Sequence, residues 1–134
     1  MFLLLALLGL AFDFGRIYIT RNEAQVFTDA AAMTAAAKLD GTPAGLAKAR
    51  DAVSHLPIHW NLGTQEFKNV QVDFSSDGRT WEASPKDAAA IKLARVTAPS
   101  NDVEIVFLRG VGGPDSLTVP ARAVASSDPV RLTQ

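Results

Sequence analysis

Residues 1–39 read MFLLLALLGLAFDFGRIYITRNEAQVFTDAAAMTAAAKL, and this stretch decides the fold because only Gly9 and Gly15 in it disfavour a helix. Each glycine costs only about 1 kcal/mol relative to alanine inside a helix. A helix over residues 2–39 would be about 57 Å long at 1.5 Å per residue, longer than a domain built from the remaining residues is wide. The sequence therefore predicts one long N-terminal helix whose apolar end protrudes from a small domain.

A seven-residue repeat of apolar side chains runs along this helix. It consists of Phe12, Ile19, Val26 and Met33, with Ala30 and Ala37 on the adjoining position. Such a stripe is typical of a helix that packs against other helices. Its small residues allow two backbones to approach closely. The pattern predicts helix–helix assembly through this segment.

The first twelve residues carry no charge and end at Phe12. A membrane-spanning helix needs about 20 mostly apolar residues, so this run alone is too short. A secretory signal would normally have Lys or Arg before the apolar run, and a cleavage site would break the helical pattern that continues here. We expect that the apolar segment reaches from residues upstream of the given start through Ile19, with a cleaved signal peptide as the alternative.

Polar residues enter the helix just after the apolar run. Asp13 and Arg16 are three positions apart, a spacing at which side chains on one helix can pair. Arg16, Arg21 and Glu23 would mark the point where a membrane helix meets water, or would pair with neighbouring copies in a bundle. Gly15 leaves room there for a neighbour. The stretch predicts a boundary between an apolar and an aqueous environment.

The chain after residue 39 indicates an α+β domain. Asp40-Gly41 ends the first helix, and Thr42-Pro43 supplies the N-cap and first position of a second helix that Pro57 stops. Alternation over residues 69–74 predicts a strand, and the Asp77-Gly78 turn predicts a returning strand over 79–82.

Two further strands are expected over residues 90–98 and 116–125. The apolar run 102–109 between them fits either a strand or a short helix, and residues 111–115 read as a loop. The tail from residue 126 is polar and is expected at an edge of the domain or loose. The prediction is a small antiparallel sheet of about four strands beside two helices.

Composition and motifs argue against catalysis. The 134 residues carry a net charge of −1 and no cysteine, which excludes disulfides and thiolate chemistry and gives no indication of nucleic-acid binding. His55 and His59 have helical metal-ligand spacing, but Pro57 lies between them. No Gly-x-Ser-x-Gly motif is present, and the acidic residues Asp73, Asp77, Glu82 and Asp87 lie in and around a hairpin. We expect no enzyme activity, no cofactor, no metal and no small-molecule substrate.

Two stretches resemble the TadE/TadG-like proteins of the Tad (Flp) pilus system. At the N-terminus the matching positions are Asp13, Gly15 and Arg16, followed by Asp29 and the alanines 30–32. Near the other end, residues 117–125 (LTVPARAVA) resemble the closing strand of that family. The pilin-type leader site and early glutamate that pilin-like chains usually carry are not found in residues 1–12.

The resemblance implies a pilin-like or pseudopilin-like protein with two parts. Residues 1–39 would be a hydrophobic helix serving as membrane anchor or filament core, and residues 40–134 a small α+β outer domain. The implied function is a structural subunit or minor pilin of a Tad/Flp-type pilus, first anchored in the inner membrane and then on the cell surface. Its partners would be copies of itself or other pilin-like subunits.

Two other functions stay open at this stage. One is a monomeric, membrane-anchored component of the assembly apparatus whose outer domain binds a partner, and the other is a tethered exported enzyme or sugar-binding domain. The residues expected to carry helix–helix assembly are Phe12, Asp13, Gly15, Arg16, Ile19, Glu23, Val26, Ala30, Met33 and Ala37.

Overall fold

The long N-terminal helix forms as predicted. The structure, a computed structural model, describes residues 1–57, 59–60, 65–99 and 101–128. Helix α1 spans Phe2–Ala37. Its last turn is closed by the amides of Lys38 and Leu39, which donate to the carbonyls of Ala35 and Ala36. Gly41 follows with φ +79°, a left-handed conformation that glycine adopts without a steric penalty.

The second helix, α2, spans Pro43–Ser54 and begins as the sequence indicates. The Thr42 side chain accepts a hydrogen bond from the Gly45 amide at 3.1 Å, as an N-cap residue does. The helix ends three residues before Pro57, because the amides of His55 and Leu56 close a final turn onto Asp51 and Val53. Its buried face contains Leu46, Ala49 and Val53.

The strands of the described residues pair antiparallel in three groups. The strands are β1 (His59–Trp60), β2 (Gln65–Glu66), β3 (Gln71–Ser75), β4 (Leu93–Ala98), β5 (Asp102–Glu104), β6 (Ser116–Thr118) and β7 (Ala121–Ser126). Strands β3, β4 and β7 form a three-stranded sheet in that order, while β5 pairs with β6 and β1 with β2. The predicted α+β class, with a long helix, a short helix and an antiparallel sheet, is confirmed.

The strand expected over residues 79–82 is replaced by a compact turn. The Asp77 carboxylate accepts the amides of Arg79 and Thr80 at 2.8 and 3.0 Å, so these amides are not available to a strand ladder. Only Glu82 pairs with Phe74, through two backbone hydrogen bonds. The full-length partner of β3 is β4, which starts at Leu93 after a 3₁₀ turn at Ala88–Ala90.

The strand expected over residues 116–125 is divided in two at Pro120. Proline has no amide to donate to a ladder, and here the chain passes from the β5–β6 pair to the three-stranded sheet. The ambiguous run 102–109 likewise divides into β5 and the start of a 3₁₀ turn at Leu108–Val111. Of the polar tail, Ser127 and Asp128 follow β7, and residues 129–134 lie outside the described residues.

Helix α1 and the sheet share one hydrophobic core. Small residues of the helix lie against small residues of β4 and β7, and all of them are buried: Ala24, Ala31, Ala35, Ala94, Ala121 and Ala123. Larger side chains fill the flanks, where Phe27 of α1 stacks on Phe67 with 4.6 Å between ring centroids. The C-terminal half of α1 packs within the domain. The predicted boundary between an N-terminal helix and an outer domain, at residues 39 and 40, stays a prediction.

Candidate assembly surface

The N-terminal half of α1 is apolar and exposed. The most apolar 18-residue window of the helix has a mean hydropathy of 1.9, and only 11% of it is buried by the rest of the chain. The helix is therefore long and apolar enough to cross a membrane, judged by length and composition. An apolar surface of this size in water needs a lipid or protein partner.

One side of α1 carries the predicted stripe and points away from the sheet. At 100° per residue its members fall within about 60° of the helix circumference. We call this surface the outer face; it consists of Phe12, Gly15, Ile19, Val26, Ala30, Met33 and Ala37. Each of these residues is exposed, with Val26 and Met33 more than two-thirds so. The sequence period thus identified an apolar face that the domain leaves uncovered.

Gly15 opens a gap in the outer face. A Cβ atom placed on Gly15 would meet no atom of the chain within 4 Å. The missing side chain therefore does not serve packing inside this molecule. A small residue at such a position lets a second backbone approach the helix closely.

The side of α1 next to the outer face is held by the end of β5 and the segment that follows it. We call this contact the clasp; it joins residues 104–108 to residues 9–16 of the helix. Asp13 lies at its centre and is 2% exposed. Its Oδ1 accepts the amide of Val106 at 3.1 Å, and its Oδ2 accepts those of Phe107 and Leu108 at 2.9 and 2.8 Å. One carboxylate thus satisfies three successive backbone donors at the start of a 3₁₀ turn.

Gly9 and Phe107 bring the clasp into contact with the apolar half of α1. A Cβ atom on Gly9 would lie 2.7 Å from both Cβ and Cγ of Phe107, closer than side-chain atoms can approach. Phe107 also packs edge-on against Phe12, with 5.5 Å between ring centroids. Glycine is needed at position 9 because the phenylalanine occupies the space of a side chain.

The polar residues of the apolar boundary make contacts other than those predicted. Arg16 donates from Nη1 to the carbonyl oxygen of Glu104 at 3.0 Å. No Asp13–Arg16 ion pair is found among the described residues, because the Asp13 carboxylate faces the clasp amides. Asp13 is consequently unavailable on the surface of α1. The pairing of Arg16 and Glu23 between copies stays a prediction.

Sequence patterns alone missed the role of the clasp. Gly9 was interpreted only as a tolerated helix interruption, and Phe107 lay in a segment of ambiguous structure. The hydrogen bonds of Asp13 each join residues more than 90 positions apart. The sequence feature that could have indicated this contact is Gly9 in the apolar run, one helical turn before Asp13.

The two histidines considered as metal ligands contact different residues. His55 hydrogen-bonds the Asp51 carbonyl through Nδ1 at 2.8 Å, whereas His59 lies 3.3 Å from Glu66. In the part of the chain that the structure describes, no group of three or more His, Cys, Asp or Glu is arranged to hold a metal ion.

The acidic residues near the hairpin support local structure. Asp73 pairs with Arg95 at 2.8 Å, and the Arg95 guanidinium lies over the Trp81 ring at 4.5 Å. The amides of Thr80 and Arg79, together with the Ser75 hydroxyl, lower the pKa of Asp77 below its usual value. These groups fix the turn after β3.

Part of the chain matches a known protein family. Residues 1–38 match the Tad family model, described as Flp pilus-assembly TadE/G-like. No curated protein and no solved structure matches the chain significantly. The matched segment contains α1, the outer face and the helix side of the clasp. The match confirms the resemblance seen at the N-terminus: residues 1–38 are similar to the TadE/G-like family associated with Tad (Flp) pilus assembly.

Proposed function

We propose that this protein is a structural subunit or minor pilin of a Tad/Flp-type pilus and assembles through the outer face of α1. One observation carries the proposal: an exposed apolar stripe of seven-residue period runs along the side of the helix that its own domain leaves free. Stripes of this period are buried between helices in assemblies. The role is structural rather than catalytic.

The free energy of assembly would come from covering this face. Burying a Val, Leu, Ile, Phe or Met side chain fully contributes about 1.5–3 kcal/mol. Phe12, Ile19, Val26 and Met33 are each more than half exposed in the single chain. Four such side chains, repeated on each neighbour, offset the entropy lost when subunits associate.

The location follows from the two parts of the helix. Before assembly the exposed apolar segment around residues 2–12 would anchor the protein in the inner membrane. In a filament the same segment would lie in the core, with the sheet and α2 outside. The partners would be other copies of this chain or further pilin-like subunits.

Two matched valine substitutions test the proposal. Val26 on the outer face is 69% exposed, and Val124, on the face of β7 away from the helix, is 51% exposed. V26E places a charge in the proposed helix contact, whereas V124E places the same charge on the outside of the sheet. We expect V26E to abolish assembly of the full-length protein and V124E to retain it, as measured by light scattering and negative-stain microscopy after detergent removal.

The alternative function predicts a different result. A monomeric anchored component of the apparatus would remain monomeric as wild type in detergent and after reconstitution, and V26E would change nothing. Filaments that persist in V26E would reject the outer face as the contact. Loss of assembly in V124E alone would place the contact on the sheet instead.

A further inference from the structure

The clasp carries an exposed apolar tip beside the apolar half of α1. Val106 and Phe107 are each about half exposed, and Val111 is 65% exposed. The Asp13 hydrogen bonds are made by backbone amides, and of these three side chains Phe107 also packs on the helix, at Gly9 and Phe12. Three apolar side chains are therefore exposed to the surroundings next to the apolar half of α1.

The tip lies at the level of the uncharged segment of the helix. Phe107 contacts Gly9 and Phe12, both within the first twelve residues. Residues 9–12 cover only about 4.5 Å along a helix axis. Whatever surrounds the helix at residues 9–12 therefore also meets Phe107.

The backbone of the tip is prepared for an apolar environment. Besides the three amides bound by Asp13, the amides of Gly110, Gly112 and Gly113 donate to carbonyls within the same turn. Backbone donors that lack a partner are costly in lipid, so a loop that enters a membrane must satisfy them internally. The buried carboxylate provides this for the part of the loop nearest the helix.

A charged residue at the tip fits the membrane surface. Arg109 lies between the exposed Phe107 and Val111 and pairs with Asp115 through Nε at 3.2 Å, with its side chain 62% exposed. Arginine on an apolar segment extends toward the headgroup region. Apolar side chains with arginine beside them are typical of segments that lie in a membrane interface.

We propose that Val106, Phe107 and Val111 form an apolar tip that inserts into the bilayer interface beside α1, so that the domain is held against the membrane. The inference rests on the membrane anchoring of α1 proposed above. It assigns the clasp a second contact: the inner side holds the helix, and the outer side meets lipid. The domain would then have one fixed orientation on the membrane before assembly.

The chain has no cysteine, so single probes can be placed freely. The full-length variants V111C, L5C and S76C would each carry an environment-sensitive fluorophore and be reconstituted in phosphatidylcholine–phosphatidylglycerol vesicles. Leu5 reports the anchor, and Ser76, in the turn after β3, lies at the end of the sheet away from the clasp. Lipids brominated on the acyl chain near the headgroup quench fluorophores at the interface.

Brominated lipid should lower the emission at positions 111 and 5 by about half or more and at position 76 by less than about a tenth. Quenching at position 5 together with full access of position 111 to aqueous iodide would overturn the tip insertion while leaving the anchor intact. Lack of quenching at both positions would overturn the anchor and the insertion together. A protected position 111 that bromolipid does not quench, and that becomes exposed on dilution, would show a second copy as the occupant and overturn the lipid contact.

Discussion

The Asp13 carboxylate accepts the Phe107 amide at 2.9 Å and thereby ties the N-terminal helix to a segment 94 residues later in the chain. The same Oδ2 atom accepts the Leu108 amide, and Oδ1 accepts that of Val106. The aspartate at the end of the apolar run is thus a structural residue of the domain, and it holds residues 106–108 against the helix.

Removing this carboxylate should loosen the clasp. In D13A three amides lose their acceptor, and hydrogen-bonding groups left unpaired in a buried place are costly. We expect Tm to fall by at least about 5 °C and the amides of residues 106–108 to exchange with solvent at least about tenfold faster. Thermal unfolding in detergent measures the change in Tm, and hydrogen exchange in the same detergent shows which amides lose protection.

Asp29 offers a control on the same helix. Its exposed carboxylate is bound by the side chain of Gln25 at 2.8 Å. D29A should leave the exchange of residues 106–108 unchanged. Equal protection of these amides in D13A and wild type would show that the carboxylate does not hold the clasp.

The two glycines of the apolar boundary should respond in opposite directions to alanine. G9A brings a Cβ within 2.7 Å of Phe107, whose backbone is fixed by Asp13, so the clasp must shift. G15A meets no neighbour and gains about 1 kcal/mol of helix propensity. Thermal unfolding of the full-length variants in detergent should give a lower Tm for G9A and an equal or higher Tm for G15A.

These variants also separate stability from assembly. If Gly15 admits a neighbouring helix, G15A should weaken assembly although it stabilises the single chain. A G9A protein as stable as wild type would contradict the close contact with Phe107.

Neighbouring alanines on α1 distinguish the sheet contact from the outer face. Ala31 is fully buried against the sheet, whereas Ala30 is exposed. A31L overpacks a close helix–sheet contact and should cost about 1–3 kcal/mol in the free energy of unfolding. A30L should stay within about 0.5 kcal/mol of wild type. Denaturant unfolding checks both, and a neutral A31L would mean that the helix does not lie as close to the sheet as described.

The turn after β3 should make stability depend on pH. The amides of Thr80 and Arg79 and the Ser75 hydroxyl lower the pKa of Asp77 from 3.8, so the folded state favours the charged carboxylate. Its stabilisation is present above the unfolded value of 3.8 and is lost as pH falls through the lower folded value. The Tm of D77N should therefore be below that of wild type at pH 7 and should converge with it under strongly acidic conditions.

Ser76→Ala in the same turn provides the control, because it changes no titratable group. Its pH profile should parallel that of wild type. A difference between D77N and wild type that stays constant down to the lowest pH would contradict the role of the charged carboxylate. Asp40, whose pKa is lowered chiefly by the Thr42 hydroxyl, should behave in the same sense at the start of α2.

Much of the helical structure could be predicted because its causes are local. The extent of α1, the Thr42 N-cap and the outer face each follow from residues close together in sequence. The strand at residues 79–82 was predicted wrongly because the Asp77 side chain competed for the amides of a ladder. The break at Pro120 could be recognised from the sequence because proline has no amide to donate. The strand with which the residues after Pro120 pair could not be recognised.

The sequence by itself determined a long, largely apolar helix, its stripe of seven-residue period and the similarity of residues 1–38 to TadE/G-like proteins, since periodicity and motif are properties of neighbouring positions. Only the tertiary structure decided which polar residue of the boundary is buried, which glycine is contacted and which apolar side chains remain uncovered. By their spacing, Asp13 and Arg16 could pair with each other. The amides of residues 106–108 bind the Asp13 carboxylate instead, because three charge-assisted hydrogen bonds outweigh one exposed ion pair.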